Sequence, residues 1–437
     1  MSMNSDFKDV SVSDIRDSAP TVVSNILDYD YVPIKDRNED RADVRVENDI
    51  TGKSTCTGAY SEFHSFFMNR YEELSRILKK HSLKHPTDIS DLGKRNPGDD
   101  VTVIGLVTDI WQSKNDNKMI EIQDKNGRLK IIVTDDELIE EVESMLENEV
   151  LAFEGQLTED KDAMFCNKII QPDVPRTFSK NRASRSVKAA FISDIHLGAD
   201  TFAIDKWLNF VDYVRETPEI EYVFVAGDLV EGIGVYPNQK EELDVIDIDH
   251  QYKLCAEAFK KLPDSVSIIT CSGNHDSVRL AEPQPAIPER FTGHFSPNVM
   301  FTGNPVLVTV EGSVKIQMYH GMSINSFTDS IPHCEVEEPQ EIMKLMLQKR
   351  HCSPLYGHNT RMAPESKDYG VLRKIPDIFQ TGHVHTFGID SYNNVVVTNT
   401  GTWQYQTDYQ EKLNIVPDVG NVPIIDLSTY SMEVRKF

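Results

Sequence analysis

The sequence predicts a layered α/β domain with a small β-barrel ahead of it and a short, mostly helical or weakly ordered region at the start. Three observations carry this. From Val187 onward, apolar runs at Ala189 to Ser193, Tyr222 to Ala226 and Val266 to Cys271 alternate with helical stretches at 203–215 and 250–261, as in a sheet covered by helices. Between 101 and 170 the chain instead reads strand, strand, strand, helix, strand, strand. Acids and histidines then recur directly after the apolar runs of the later half, where strand ends of an α/β sheet line a crevice.

A chain of 437 residues is long for one core, so two or three domains are expected. With 39% hydrophobic and 26% charged residues, the composition is globular. The formal charge of -25 argues against a protein that wraps nucleic acid unaided, because phosphate binding rests on Lys and Arg. Any DNA contact is then local or shared with a basic partner. The six cysteines (56, 166, 255, 271, 334 and 352) form no Cys-x-x-Cys pair, which fits free thiols in a reducing cytoplasm. The first thirty residues carry Asp6, Lys8, Asp9, Asp14, Arg16 and Asp17 and no signal-peptide core. No later stretch approaches the ~20 apolar residues of a membrane span. A cytoplasmic protein without a membrane partner is expected.

Residues 1–58 are acidic and polar, and weak order is expected there. Gly52-Lys53-Ser54-Thr55 matches the tail of a phosphate-binding loop but lacks the earlier glycine and a preceding strand, so no nucleotide site is assigned. Residues 59–98 hold a helix and linker: Phe63, Phe66, Phe67, Leu74, Ile77 and Leu78 recur at helical spacing, with Ser61 as the expected N-cap and an end near His81. Such a stripe is core or a docking face. Residues 99–175 form the barrel. Its runs are Val101 to Trp111, Met119 to Gln123, Leu129 to Val133, Val150 to Leu157 and Met164 to Ile170. Asn126-Gly127 makes a hairpin turn, and a Thr134-x-x-Glu137 capping box opens a helix through about Glu147. That is the order of an OB-fold. OB-folds bind single strands with aromatics in a basic groove, but only Trp111, Phe153 and Phe165 are available here. A structural or partner-binding barrel is at least equally expected. Residues 176–188 are a basic linker with Arg176, Lys180, Arg182, Arg185 and Lys188, read as solvated, with contact to a DNA backbone as the alternative. Residues 189–437 make the layered domain, with a helix around 340–349 and a Pro/Gly-rich loop at 353–370.

Five motifs carry the chemistry: Asp194-x-His196, Gly227-Asp228, Gly273-Asn274-His275-Asp276, His320-Gly321 and Gly382-His383-x-His385. Singly each is weak. A lone Asp-x-His is usually nothing, and Gly-Asp is a common turn. In order, each behind an apolar run, they hold five of the thirteen histidines and read as a binuclear metal site for cutting phosphate esters. Mixed nitrogen and oxygen donors suit manganese, iron or zinc better than calcium or magnesium alone.

The motif set resembles the calcineurin-like metallophosphoesterase superfamily, whose fold is a layered β-sandwich flanked by helices. The resemblance implies two divalent ions, the first held by Asp194, His196 and His385, the second by Asn274, His320 and His383, with Asp228 bridging. His275 is implied as the group that stabilises or protonates the leaving oxygen. Glu231 would orient His275, with Asp276 as its rival or a turn-capping acid. A narrower resemblance joins the predicted OB-fold to this domain. It rests on Asp49-Ile50-Thr51-Gly52-Lys53-Ser54, Tyr319-His320-Gly321, Arg350-His351, Pro354-Leu355-Tyr356-Gly357 and the string from Thr398 to Thr407. Over roughly 45–437 the chain is similar to the small subunits of archaeal D-family DNA polymerases.

That likeness implies a proofreading 3′-to-5′ exonuclease with manganese as the expected ion, iron, zinc or magnesium also being compatible. Its implied partners are a large catalytic polymerase subunit, single-stranded or mismatched 3′ ends of DNA, and a sliding clamp as a further candidate. Two alternatives stand beside it: a stand-alone metallophosphoesterase, either repair nuclease or phosphatase, and an inert structural B-subunit. Gly227-Asp228-Leu229-Val230-Glu231-Gly232 lacks the arginine that protein phosphatases carry after this acid. In the loop Tyr356-Gly357-His358-Asn359 the family tends to have a second glycine, and His358 is read as a surface residue.

Overall fold

A computed structural model describes residues 25–27, 29, 43–80, 85–412 and 414–437. Most of the region expected to be weakly ordered, and the helix end near His81, lie outside them. The first elements are β1 (Val44–Glu47) and α1 (Tyr60–Lys80). Next come β2 (Asp100–Gln112), β3 (Lys118–Gln123), β4 (Arg128–Val133), α2 (Asp136–Glu143), β5 (Val150–Leu157) and β6 (Ala163–Ile170). These strands close a barrel in the order β2-β3-β4-β6-β5, antiparallel except at the parallel β4–β6 seam. Alternate residues, among them Val101, Val103, Ile120, Ile122, Ile131, Val133, Leu151 and Phe153, meet inside. The Asn126-Gly127 turn forms as expected, with both amides donating to Asp124 Oδ1.

The layered domain begins with β7 (Lys188–Ile192), α3 (Ile204–Glu216), β8 (Ile220–Ala226), α4 (Ile248–Phe259) and β9 (Ser267–Cys271). It continues through β10 (Val299–Thr302), β11 (Val306–Val310), β12 (Val314–Met318), α5 (Ile324–Ser330) and α6 (Pro339–Lys349). It closes with β13 (Ile378–Thr381), β14 (Gly388–Tyr392), β15 (Val395–Asn399), α7 (Asp408–Lys412), β16 (Asn421–Asp426) and β17 (Met432–Lys436). One sheet runs β10-β9-β8-β7-β16-β17 and the other β1-β11-β12-β13-β15-β14.

Two-residue periodicity explains the layers. Phe191, Tyr222, Phe224 and Ile269 point between the sheets to meet Val308, Ile316 and Ile378. Their neighbours Ala190, Ile192, Val223, Val225 and Ile268 face outward onto Trp207 and Phe210 of α3 and Tyr252 and Phe259 of α4. On the far side, Phe379, Val395 and Val397 pack under Phe327, Ile342, Met343 and Met346 of α5 and α6. The result is helix, sheet, sheet, helix.

Four expectations are corrected. Val44–Glu47 is not weakly ordered: it pairs antiparallel with β11, Val44 and Val46 pack on the inter-sheet core, and Ile50 is fully buried. Ser61 is not the cap of α1, because Glu62 accepts from the amides of Thr57 and Ala59 and the helix starts at Tyr60. Asp135, not Thr134, caps α2 by accepting from the Glu137 and Leu138 amides. That helix stops at Glu143, short of Glu147, where the chain turns so that buried Glu149 reaches Lys349 at 2.6 Å. The basic linker lies against the layered domain. Arg185 pairs with Glu221 and Glu311, and Lys180 and Arg182 stand over the Tyr430 ring, which disfavours the DNA-contact alternative.

The aromatic stripe of α1 is core. Tyr71, Leu74 and Leu78 pack between Ile104, Leu106, Val150 and Ala152 of the barrel and Val371 of the layered domain. Within this seam the fully buried Arg70 binds Asp368 at 2.6 Å and the carbonyls of Asn148 and Pro354, while His351 Nε2 lies 2.9 Å from Asp368. Burial alone raises the Asp368 carboxyl, but His351 and Arg70 outweigh it and hold it well below the usual range. A depressed folded-state pKa gives stability that is present above the unfolded value of ~4 and lost as pH falls. Arg70→Met is therefore expected to lose about 3 kcal/mol at pH 7. Its deficit from the parent should narrow from about pH 5 downward. Chemical denaturation showing the same deficit at pH 7 and below pH 4 would contradict this.

Candidate metal centre

Asp194 and His196 follow β7, Asp228 follows β8, Asn274 and His275 follow β9, His320 follows β12, and His383 and His385 follow β13. The strands β7, β8 and β9 run parallel, as do β12 and β13, so these five turns emerge at one edge of the sandwich. Their backbone is forced. Asp194, His196, Asp228, His383 and His385 have φ of 51°, 53°, 52°, 73° and 57°, a region that costs non-glycine residues ~1–3 kcal/mol each. Bonds between turns hold them there, including Asp194 N to Gly227 O at 3.0 Å and Gly382 N to His320 O at 2.8 Å. The motif glycines answer to the same crowding. A Cβ on Gly273 would come 2.1 Å from Asp228 Oδ1, and one on Gly382 would come 2.4 Å from Asp194 Oδ2.

Each key acid has one oxygen tied to the backbone and one left over. Asp194 Oδ2 accepts from His383 N at 2.9 Å, while buried Oδ1 has no hydrogen-bond partner. Asp228 Oδ1 accepts from His275 N at 2.8 Å, and Oδ2 lies 3.2 Å from His320 Nε2 and 3.8 Å from His196 Nε2. The imidazoles are likewise steered by one nitrogen. His196 Nδ1 lies 2.7 Å from Glu231 Oε2, and His320 Nδ1 donates to Ala226 O at 2.8 Å. That leaves His196 Nε2 3.0 Å from His385 Nε2, and His320 Nε2 2.8 Å from Asn274 Oδ1.

These residues fit divalent ions. Asp194, His196 and His385 offer donor atoms within 4.8 Å of one another, and so do Asp228, His320 and His383. A buried carboxylate oxygen without a donor and two imidazole nitrogens in contact are both costly unless a cation lies among them. Burial raises Asp194, Asp228 and Glu231, yet the surrounding imidazoles outweigh it, holding Glu231 down to about 2 and the other two well below the carboxylate range. Three anions are thus concentrated in one crevice. His320 is pushed up to about 9 because Asp228 outweighs its burial, whereas burial and the neighbouring His320 push His383 down to about 3.

All nine residues named from the sequence converge here. Glu231 differs from expectation in how it acts: its carboxylate bonds His196, and it holds His275 through its backbone carbonyl, which accepts from His275 Nδ1 at 2.7 Å. Asp276 is the turn-capping acid, accepting from the amides of Asp228, Leu229 and Gly273. The string after Thr398 braces the site. Thr402 Oγ1 and the Trp403 amide donate to Asp194 O, and Gln404 Nε2 donates to Glu231 Oε2. His358 is exposed, as expected.

Sequence reading missed Tyr236 and Gln239, which donate to Glu231 Oε1, and Asn325, 3.2 Å from His383 Nε2. It also missed Gln410, whose Nε2 lies 2.9 Å from His385 Nδ1. Only Gln410 carried a signal: Thr407-x-x-Gln410 is a capping box, with both reciprocal bonds formed.

A two-sheet sandwich presenting these turns at one edge defines a calcineurin-like phosphoesterase, and the calcineurin-like phosphoesterase family model matches residues 187–387. More narrowly, the chain belongs to the family of DNA polymerase II small subunits. It is 42% identical to the DNA polymerase II small subunit of Halobacterium salinarum over 405 residues, 91% of this chain and 79% of that one. The corresponding protein of Archaeoglobus fulgidus is 37% identical over 87% of this chain and 78% of its own. That of Methanothermobacter thermautotrophicus is 35% identical over 88% and 81%.

Because Glu231 fixes the ring of His196, Glu231→Gln is expected to weaken Mn2+ binding about 10- to 100-fold without unfolding the chain. Calorimetric titration of metal-stripped protein checks this, and an unchanged affinity would refute the role.

Proposed function

We propose that this chain is the 3′-to-5′ exonuclease subunit of a two-subunit DNA polymerase, removing mispaired nucleotides for a separate large catalytic subunit. The observation that carries the nuclease reading is Asp228, whose one untied oxygen sits between His196 on one side and His320 on the other. In this reading Asp194, His196 and His385 would hold one ion and Asn274, His320 and His383 a second, with Asp228 available to both. Manganese suits the mixed nitrogen and oxygen set, with iron, zinc or magnesium compatible. When bound, such a pair lowers the pKa of water and offsets charge on the phosphoryl group.

His275 supplies the proton. Its Nδ1 is committed to the Glu231 carbonyl, which reserves Nε2 for the departing 3′ oxygen of the penultimate nucleotide. The products are a nucleoside 5′-monophosphate and a strand ending in a 3′ hydroxyl. Complete donor sets on strained turns support an active enzyme over an inert B-subunit.

Kinship with DNA polymerase II small subunits supports the large-subunit partner, and the charge of -25 supports borrowing DNA affinity from it. The barrel order, with α2 between β4 and β5, supports reading it as an OB-fold. Phe153 is fully buried, leaving exposed Phe165 and half-buried Trp111, which favours a structural or partner-binding barrel over a strand-stacking groove.

Purified protein with Mn2+ is expected to shorten single-stranded or 3′-recessed DNA from the 3′ end. His275→Ala should slow this at least about 100-fold while metal content stays nearly intact. Metal loss in that variant, or no cleavage by the parent protein with its partner present, would overturn the reading. Native extracts should yield the chain bound to a much larger polymerase subunit; a monodisperse monomer would count against the partner.

A further inference from the structure

We propose that Tyr236 and Tyr409 form a clamp for the base at the 3′ end of the DNA strand. This rests on the nuclease reading above and adds a base-binding subsite to it. Tyr236 is the fixed jaw. Its ring centroid lies 6.2 Å from that of His275, and its hydroxyl lies 3.0 Å from each of two carboxylate oxygens, Glu231 Oε1 and Glu242 Oε2, either of which can accept its one proton. With an acceptor on either side of the hydroxyl, the ring is held beside the metal centre.

Tyr409 is the outer jaw. Its ring is nearly parallel to that of Tyr236, at 26° and 6.4 Å between centroids, and it is 59% exposed. Rings in van der Waals contact sit ~3.5 Å apart, so a planar base between two of them needs ~7 Å. A base would enter as the exposed Tyr409 ring turns outward from Tyr236. This would be a rotation of the Tyr409 side chain, while Gln410 keeps α7 keyed to His385. Val235 and Ile233, both exposed, extend the apolar surface beside Tyr236, and Val235 lies next to the turn that carries His275.

Charge selects the occupant. Asp408 and Glu411 flank Tyr409 in α7 and would repel a phosphate, so the pair suits an uncharged base. Stacking on an aromatic side chain is tolerant of base identity, as removal of any terminal nucleotide demands. It also favours a mispaired end, since a paired base must first be unstacked from the duplex.

The test uses the full chain in EDTA, so that no strand is cut, and a single-stranded oligonucleotide with 2-aminopurine at its 3′ terminus. Binding by the parent should quench the probe, while the same label at the 5′ terminus should stay bright. Tyr409→Ala should lose most of the quench and bind about tenfold more weakly, and Tyr409→Phe should restore both. No 3′-specific quench by the parent, equal binding by Tyr409→Ala, or failure of Tyr409→Phe to restore it would overturn the clamp. Adding Mn2+ separates the two readings: quench without cleavage removes the nuclease and leaves the clamp, and cleavage without quench does the reverse.

Discussion

The constraint on which this molecule turns is the burial of two carboxylates, Asp194 and Asp228, at the meeting point of two sheets. Each has one oxygen fixed by a backbone amide and the other held back. That arrangement dictates much around it. The turns must take left-handed backbone to aim the acids inward, glycines must stand where any Cβ would collide with them, and imidazoles must ring them to offset their charge. The braces then follow outward: Glu231 on His196, Ala226 on His320, Gln410 on His385, and Thr402 and Trp403 on the Asp194 carbonyl.

A second set of buried charges fixes the barrel to the layered domain. Arg70 joins α1 to Asp368 and Pro354, and Glu149 joins the barrel to Lys349. Both pairs are almost wholly excluded from water, where removing one partner strands the other. The apolar face of α1 fills the seam between them, so the barrel has a defined orientation toward the phosphoesterase edge.

What the sequence made legible follows from range. Strand signals are local, so unbroken apolar runs such as Ala189 to Ile192, alternating with helical stretches, announced a sheet covered by helices. The five motifs were legible because each packs its chemistry into two to four residues. Contacts across the fold were not. Nothing local in Val44–Glu47 shows that it completes a sheet edge against Val306–Val310, and nothing near Glu231 shows that its carboxylate belongs to His196 rather than to His275. Cap positions failed for a related reason. Thr134 and Ser61 are good N-cap residues, but Asp135 and Glu62 are better placed acceptors one residue away.

The division of the donors between the sheets bears on synthesis. A nascent chain that has made only β7 to β9 holds Asp194, His196, Asp228 and Asn274 but lacks His320, His383 and His385, which come with β12 and β13. Neither three-residue set is then whole, and the Asp194 turn still lacks Thr402 and Trp403. The donor set is thus completed late and all at once, after nearly the whole chain has been made, so a chain cut short before β13 carries a partial centre and no more.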